Sequence, residues 1–109
     1  MIDYEVLQRL SETLTARRNA DPSSSYTAQL LAKGPDSILK KIGEECAELI
    51  MAGKEGKRLN IVWESTDVIY HILVLLAFYD MGIEDVSQEM RRREGISGID
   101  EKKSRTADK

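Results

Sequence analysis

The chain has 109 residues, of which 41% are hydrophobic and 32% charged, a composition that fits one globular domain and excludes a disordered segment. Its formal net charge of −3 argues against a nucleic-acid-binding protein, which normally concentrates basic side chains on one surface. Cys46 is the only cysteine, which excludes an intrachain disulfide and a zinc site built from several thiolates.

The amino-terminal third of the chain predicts two short helices. Residues 1–5 lack the basic and apolar regions of a secretory signal, so we expect a cytoplasmic protein. Hydrophobic residues then recur at helical spacing after Asp3, a candidate N-cap, and the pattern ends near Arg17. A serine run at 23–25 can cap a second helix of about two turns, which the glycine and proline at 34–35 stop.

The middle of the chain predicts two longer helices. Asp36 or Ser37 can cap the third helix, which glycine residues bring to an end. Asn60 can cap the fourth helix, which extends over residues 61–79 and is apolar on nearly every side from residue 68 onward. Its most apolar run, 68–78, is far shorter than the roughly 20 apolar residues of a membrane-spanning helix. We therefore predict a central core helix there and no association with a membrane.

The carboxyl-terminal part of the chain predicts a fifth helix over residues 83–93, followed by a tail with little hydrophobic surface. We divide the chain into an all-α domain, residues 1–95, and a tail, residues 96–109, which we expect to be mobile without a bound ligand or partner. The predicted fold class is an all-α bundle of four to five helices. Because the fourth helix has more apolar circumference than three short amphipathic helices can cover, we also predict a homodimer.

Two acidic pairs, each spaced i, i+3, lie on the third and fourth predicted helices. Glu45 and Glu48 lie side by side on one flank of the third helix, whereas Glu44 points further toward solvent. Glu64 and Asp67 interrupt the otherwise hydrophobic fourth helix. Acidic pairs on helices usually form a solvated face, but water cannot easily solvate carboxylates within an apolar helix. If the two helices pack antiparallel, we expect the four carboxylates to share one site.

Such a site requires a positive partner. Two carboxylates about 4 Å apart repel by roughly 4 kcal/mol at an effective dielectric constant near 20. Cationic side chains in the vicinity are few, essentially Lys40 and Lys41, whereas a hard divalent ion binds carboxylate oxygens well. We therefore expect Mg²⁺, with the ligands Glu45, Glu48, Glu64 and Asp67. Because Mg²⁺ commonly also binds phosphate oxygens, the site favours phosphoryl chemistry, with Glu45 as the candidate general base and Glu44 as the alternative.

The acidic residues and the segments around them resemble a known enzyme family. The pattern E-x-x-E, a spacer, then E-x-x-D is the metal signature of the MazG-like all-α nucleoside triphosphate pyrophosphohydrolases. Four segments are similar to the phosphoribosyl-ATP pyrophosphatase family, namely SSYTAQLLAKG at 24–34, KKIGEE at 40–45, DVIYHILVLL at 67–76 and RREGISGIDEKKSR at 92–105. The resemblance implies hydrolysis of phosphoribosyl-ATP to phosphoribosyl-AMP and pyrophosphate, the second step of histidine biosynthesis, by a Mg²⁺-dependent cytoplasmic homodimer.

For that substrate, the candidate ligands of the triphosphate and of the ribosyl phosphate are Arg17, Lys33, Lys41, Arg93 and Arg105. Lys41 is the strongest of them because it shares a helix face with Glu45 and Glu48. The arginine run at 91–93 is equally well explained as favourable charge at a helix end. His71 is interpreted as a hydrogen-bonded core residue and is left out of the metal ligands.

Two other functions stay open from the sequence. The nearest is a house-cleaning pyrophosphohydrolase of the MazG-like class that acts on canonical or damaged deoxynucleotides, which a panel of nucleotides would distinguish. The other is a non-catalytic helical dimerisation module whose carboxylates are surface charge. Such a module would gain no thermal stability from Mg²⁺, because only a ligand that binds the folded state stabilises it.

Overall fold

Six α-helices and two short 3₁₀ turns make up the described part of this computed structural model, residues 1–107, and no strand occurs within that range. The helices are α1 (Val6–Ala16), α2 (Tyr26–Lys33), α3 (Pro35–Glu55), α4 (Arg58–Phe78), α5 (Ile83–Arg93) and α6 (Gly98–Ala107). The 3₁₀ turns, Arg17–Asn19 and Pro22–Ser24, connect α1 to α2. The all-α prediction is confirmed, but the predicted count of four to five helices is too low.

The additional helix, α6, lies in the tail that we expect to be mobile without a ligand. Hydrophobic periodicity gave no indication of α6, because its residues are mostly polar. An ion pair holds it against α5, since Glu101 in the first turn of α6 is only 3% exposed and accepts a hydrogen bond from Arg92. Residues 108 and 109, the end of the predicted tail, lie outside the described residues.

Local chemistry explains where the helices begin. Ser25 is the N-cap of α2, and its hydroxyl accepts a backbone N–H of the first turn at 3.0 Å, as the serine run predicts. α3 begins at Pro35, earlier than predicted, because proline suits the first helical position and Gly34 adopts a φ of 95° before it. α4 begins at Arg58, so Asn60, predicted as its cap, lies inside the helix.

The core forms where α1, α2 and α3 pack around the carboxyl-terminal half of α4. Its largest fully buried side chains are at most 2% exposed and come from α1, α3 and α4, namely Leu14, Ile38, Leu73 and Val74. α3 ends at Gly56, whose φ of 75° is the left-handed conformation common at helix ends. Only Lys57 separates this residue from α4, and the two long helices share the most extensive contact in the fold, so they pack antiparallel.

The amino-terminal half of α4 is far less covered than the rest of the helix. Leu59, Val62 and Trp63 are each more than half exposed. By length and composition alone α4 could cross a membrane, and 28% of its apolar window is buried. This is weak evidence of a membrane, because the core helices of soluble proteins meet the same criterion. Exposed apolar surface of this kind is also typical of an interface with another protein chain.

A buried serine connects α1 to the start of α5. The Ser11 hydroxyl accepts the backbone N–H of Ile83 at 3.0 Å, and the residue is 7% exposed. A Cβ atom at Gly82 would lie 2.7 Å from the same hydroxyl oxygen. A side chain at this position would therefore force the Ser11 hydroxyl to move.

Replacing Ser11 by alanine is expected to lower the free energy of unfolding by about 1–3 kcal/mol, because the Ile83 N–H loses its buried acceptor. Gly82→Ala is also expected to destabilise the protein, but less so when Ser11→Ala has removed the clashing oxygen. Chemical denaturation of both single variants and the double variant, at one protein concentration, measures this coupling. If the losses in the free energy of unfolding of the two single variants add up to the loss of the double variant, the contact between the two residues is contradicted.

Candidate active site

Three of the four predicted metal ligands converge across the α3–α4 hairpin. Glu45 and Glu48 of α3 and Glu64 of α4 each offer one carboxylate oxygen, and these oxygens all lie within 4.8 Å of one another. We call these three residues the carboxylate cluster. Glu45 is buried, Glu64 is half-buried and Glu48 is exposed, so the cluster opens to solvent on one side. The structure does not bring Asp67 into this group, and its side chain is exposed one turn after Glu64.

Two oxygens of the carboxylate cluster are buried without a partner. Glu45 Oε2 and Glu64 Oε2 are inaccessible to solvent and have no hydrogen-bond partner within residues 1–107. Leaving a buried acceptor without a partner costs about 1–3 kcal/mol, and more for a charged group. A hard divalent cation such as Mg²⁺ fits this oxygen-only set, because it would satisfy both oxygens and reduce the repulsion between the carboxylates.

Lys41 lies beside the carboxylate cluster, as its helix position predicts. Its Nζ is 3.5 Å from Glu45 Oε1 and 3.4 Å from Glu44 Oε2. The charge of an ionised Tyr26 oxygen, followed by hydrogen bonding and charge from the two glutamates, raises the pKa of Lys41 above its ordinary value. Lys41 thus partners Oε1 of Glu45, whereas Oε2 is buried without a hydrogen-bond partner within the described residues. Glu44, the alternative base, is exposed.

His71 and Tyr26 join α2 to the turn of α4 that carries Asp67. His71 Nδ1 is 2.8 Å from the Asp67 carbonyl oxygen, and its Nε2 is 3.2 Å from the Tyr26 hydroxyl. Since Nδ1 donates to the carbonyl, Nε2 of the neutral ring accepts the hydrogen bond from Tyr26. His71 is 6% exposed, so its interpretation as a hydrogen-bonded core residue is confirmed. Tyr26 was not predicted from the sequence, although its position directly after the serine cap was an available signal.

The five basic residues predicted to bind the substrate lie in three different parts of the structure. Lys33 and Lys41 line one open cavity of about 270 Å³ between α2 and α3. Arg17 donates a hydrogen bond to the Ser25 hydroxyl at 3.1 Å, on the connection before α2. Arg93 and Arg105 belong to an ion-pair network on α5 and α6.

That network holds the two predicted arginines against acidic side chains. Arg93 is 2.9 Å from Glu89, and Arg105 is 2.7 Å from the buried Glu101. Hydrogen bonds from Arg92 and then Arg93 lower the pKa of Glu89 to about 2. Glu101 was not predicted from the sequence, although its i, i+4 spacing to Arg105 was a usable signal.

Comparisons with known proteins identify the family of the chain. The sequence model of the family described as phosphoribosyl-ATP pyrophosphohydrolase matches residues 7–94. The chain is 79% identical over 105 residues to the phosphoribosyl-ATP pyrophosphatase of Dechloromonas aromatica, covering 96% of this chain and 97% of that relative. The protein of that name from Aromatoleum aromaticum is 58% identical over 106 residues, covering 97% and 98%. The one from Geobacter metallireducens is 52% identical over 101 residues, covering 93% of each chain. The chain therefore belongs to the phosphoribosyl-ATP pyrophosphohydrolase family.

Proposed function

We propose that this chain hydrolyses phosphoribosyl-ATP to phosphoribosyl-AMP and pyrophosphate, the second step of histidine biosynthesis. The family match and the names of relatives up to 79% identical over nearly the whole chain support this substrate. One structural observation supports the chemistry above all others, the two buried carboxylate oxygens of Glu45 and Glu64 that lack a partner within the described residues. Buried carboxylate oxygens of this kind are suited to bind a cation that also binds the phosphate oxygens of a substrate.

The proposed Mg²⁺ ligands are the carboxylate cluster and Asp67. Asp67 is proposed as the fourth ligand because it follows Glu64 by one helical turn on α4. Bound Mg²⁺ would neutralise phosphate charge and make an attacking water more acidic. Glu45 is proposed to accept the proton of that water, and Glu44 is the alternative base. The water oxygen joins the α-phosphorus, the bond from that phosphorus to the α,β-bridging oxygen breaks, and the bridging oxygen leaves with pyrophosphate.

The basic candidates have unequal support as substrate ligands. Lys41 orients the Glu45 carboxylate at 3.5 Å and, together with Lys33, lines a cavity next to the carboxylate cluster. Arg17 stays a proposed ligand, since its contact with a serine hydroxyl leaves the rest of the guanidinium group for a phosphate. Arg93 and Arg105 stay proposed ligands as well, although a phosphate would have to compete with Glu89 and Glu101 for them.

A homodimer is proposed as the working assembly. Leu59, Val62 and Trp63 on α4 are spaced i, i+3, i+4 and are all exposed in the single chain. Ile50 and Met51 of α3 add further exposed apolar surface. Burying this apolar surface against a second copy of the chain would remove it from water, which is favourable.

The remaining proposals concern the division of the chain and its compartment. The family match over residues 7–94 supports a catalytic domain in residues 1–95, with 96–109 as a tail whose mobility without a ligand stays a prediction. A biosynthetic role of the kind that the relatives' names describe supports a cytoplasmic location.

A pyrophosphate-release assay tests the proposed function. Purified protein with Mg²⁺ is expected to release pyrophosphate from phosphoribosyl-ATP faster than from any deoxynucleotide in a side-by-side panel, and a metal chelator should stop the reaction. Glu48→Gln is expected to lower kcat/KM by about 100-fold or more while the helical content is retained, because it weakens metal binding at an exposed position. Faster turnover of a deoxynucleotide would indicate a house-cleaning enzyme instead. The absence of any turnover would indicate a non-catalytic module.

A further inference from the structure

The cavity between α2 and α3 is rich in lysine residues. Lys33, Lys40 and Lys41 line it together with Tyr26, Ser37 and a single acidic residue, Glu44. Lys41 pairs with Glu44 and with Glu45, so the positive charge available to a ligand comes mainly from Lys33 and Lys40, in a chain whose formal net charge is −3. A cavity with this lining, which we call the lysine cavity, attracts a multiply charged anion.

The lysine cavity and the carboxylate cluster adjoin through one side chain. Lys41 lines the cavity, and its Nζ lies 3.5 Å from Glu45 Oε1 of the cluster. The wall opposite α3 is formed by Tyr26, whose hydroxyl donates to His71 on the turn of α4 that carries Asp67. An anionic group in the cavity is therefore an immediate neighbour of any phosphate held at the carboxylates.

Phosphoribosyl-ATP has two phosphate-bearing arms, the triphosphate and the phosphate of the added ribose. The β-phosphate is joined to the reacting α-phosphorus by a P–O–P link, and the γ-phosphate is joined to the β-phosphate by a second one, so both lie close to the carboxylate cluster when the α-phosphate is bound there. They also carry more negative charge than the ribosyl phosphate, and they gain charge when the bond to the α-phosphorus breaks. Both considerations match the position and the charge of the lysine cavity.

We propose that the lysine cavity is the subsite for the departing pyrophosphate, with Lys33 and Lys40 as its outer ligands and Lys41 at the boundary with the carboxylates. This assignment rests on the proposed function and adds to it which arm of the substrate the cavity receives. Lys40 becomes a substrate ligand that the sequence argument did not select.

Calorimetric titration with inorganic pyrophosphate, in the presence of Mg²⁺, tests the subsite without turnover. The double variant Lys33→Ala/Lys40→Ala is expected to weaken pyrophosphate binding by about tenfold or more, because each lost charge-assisted hydrogen bond is a substantial part of the affinity. The same variant should bind phosphoribosyl-AMP, which keeps the α-phosphate and the ribosyl phosphate, within about twofold of wild type. Both lysines are exposed, so the fold should be unaffected.

The matched control is Lys54→Ala/Lys57→Ala, which removes the same charge from exposed positions near the end of α3 and the start of α4. It should leave both affinities unchanged, and Lys33→Arg/Lys40→Arg should restore pyrophosphate binding. Unchanged pyrophosphate binding in the alanine variant, weaker phosphoribosyl-AMP binding, or a wild-type protein that does not bind pyrophosphate would each overturn the assignment. Turnover of phosphoribosyl-ATP by the wild-type protein is measured separately. It tests the proposed function and does not depend on the subsite assignment.

Discussion

Glu64→Gln is expected to raise the thermal unfolding midpoint of the metal-free protein and to remove its stabilisation by Mg²⁺. One oxygen of each carboxylate in the cluster lies within 4.8 Å of the others, and at that separation two unit charges repel by roughly 3 kcal/mol at an effective dielectric constant near 20. Lys41 offsets part of this repulsion at Glu45, but nothing in the described residues partners Glu64 Oε2. An amide at position 64 removes one charge and offers N–H donors to the remaining carboxylates.

The two effects have opposite signs and are separable by differential scanning calorimetry. A gain of about 1 kcal/mol in the metal-free variant corresponds to a rise of roughly 4–8 °C in Tm for a domain of this size. Wild-type protein with Mg²⁺ at 100 times its Kd is expected to gain about 2.7 kcal/mol, whereas the variant should show little of that gain. A lower Tm in the metal-free variant, or a Mg²⁺ response equal to that of wild type, would contradict a metal site at these carboxylates.

Glu44→Gln provides the matched control on the same helix. Glu44 is exposed and lies outside the carboxylate cluster, so its replacement should leave both the metal-free Tm and the Mg²⁺ response nearly unchanged. Turnover of the same variant also bears on the general base. Loss of catalysis with an intact Mg²⁺ response would favour Glu44 over Glu45 as the proton acceptor.

The convergence of the carboxylate cluster was predictable because it depends on short-range geometry. An i, i+3 spacing places Glu45 and Glu48 on one flank of α3, and a short connection forces α4 to return alongside it. Asp67 shows the limit of this argument. Spacing puts it on the same side of α4 as Glu64, but the way the two helices cross decides which residue lies nearer to α3, and the sequence does not contain that angle.

The features that were missed depend on contacts between distant segments. Tyr26 and His71 are 45 residues apart, and their hydrogen bond exists only because α2 packs across α4. The polar helix α6 gave no periodic signal, since what holds it is Glu101 among arginines and not an apolar stripe. The lysine cavity likewise combines side chains of two helices whose relative placement is set by the core.

Trp63→Asp is expected to convert the proposed homodimer into a monomer. Trp63 is 56% exposed in the single chain and lies beside Leu59 and Val62 on the exposed apolar stripe of α4. Tryptophan residues at the centre of an interface commonly contribute about 2 kcal/mol or more each. A twofold dimer loses the contribution of both copies, so the dissociation constant should rise by roughly 10³-fold or more. Multi-angle light scattering at micromolar concentration should then report the mass of one chain.

Met90→Asp on α5 is the control for this prediction, because Met90 is 65% exposed but lies away from the α4 stripe. This variant should remain a dimer, as the wild-type protein is expected to be. Dilution of the wild-type protein provides a second measurement that needs no variant, since a dimer that dissociates on unfolding has a Tm that falls with decreasing concentration. A wild-type mass of one chain, or dissociation caused by Met90→Asp and not by Trp63→Asp, would show that the exposed stripe of α4 is not the dimer interface.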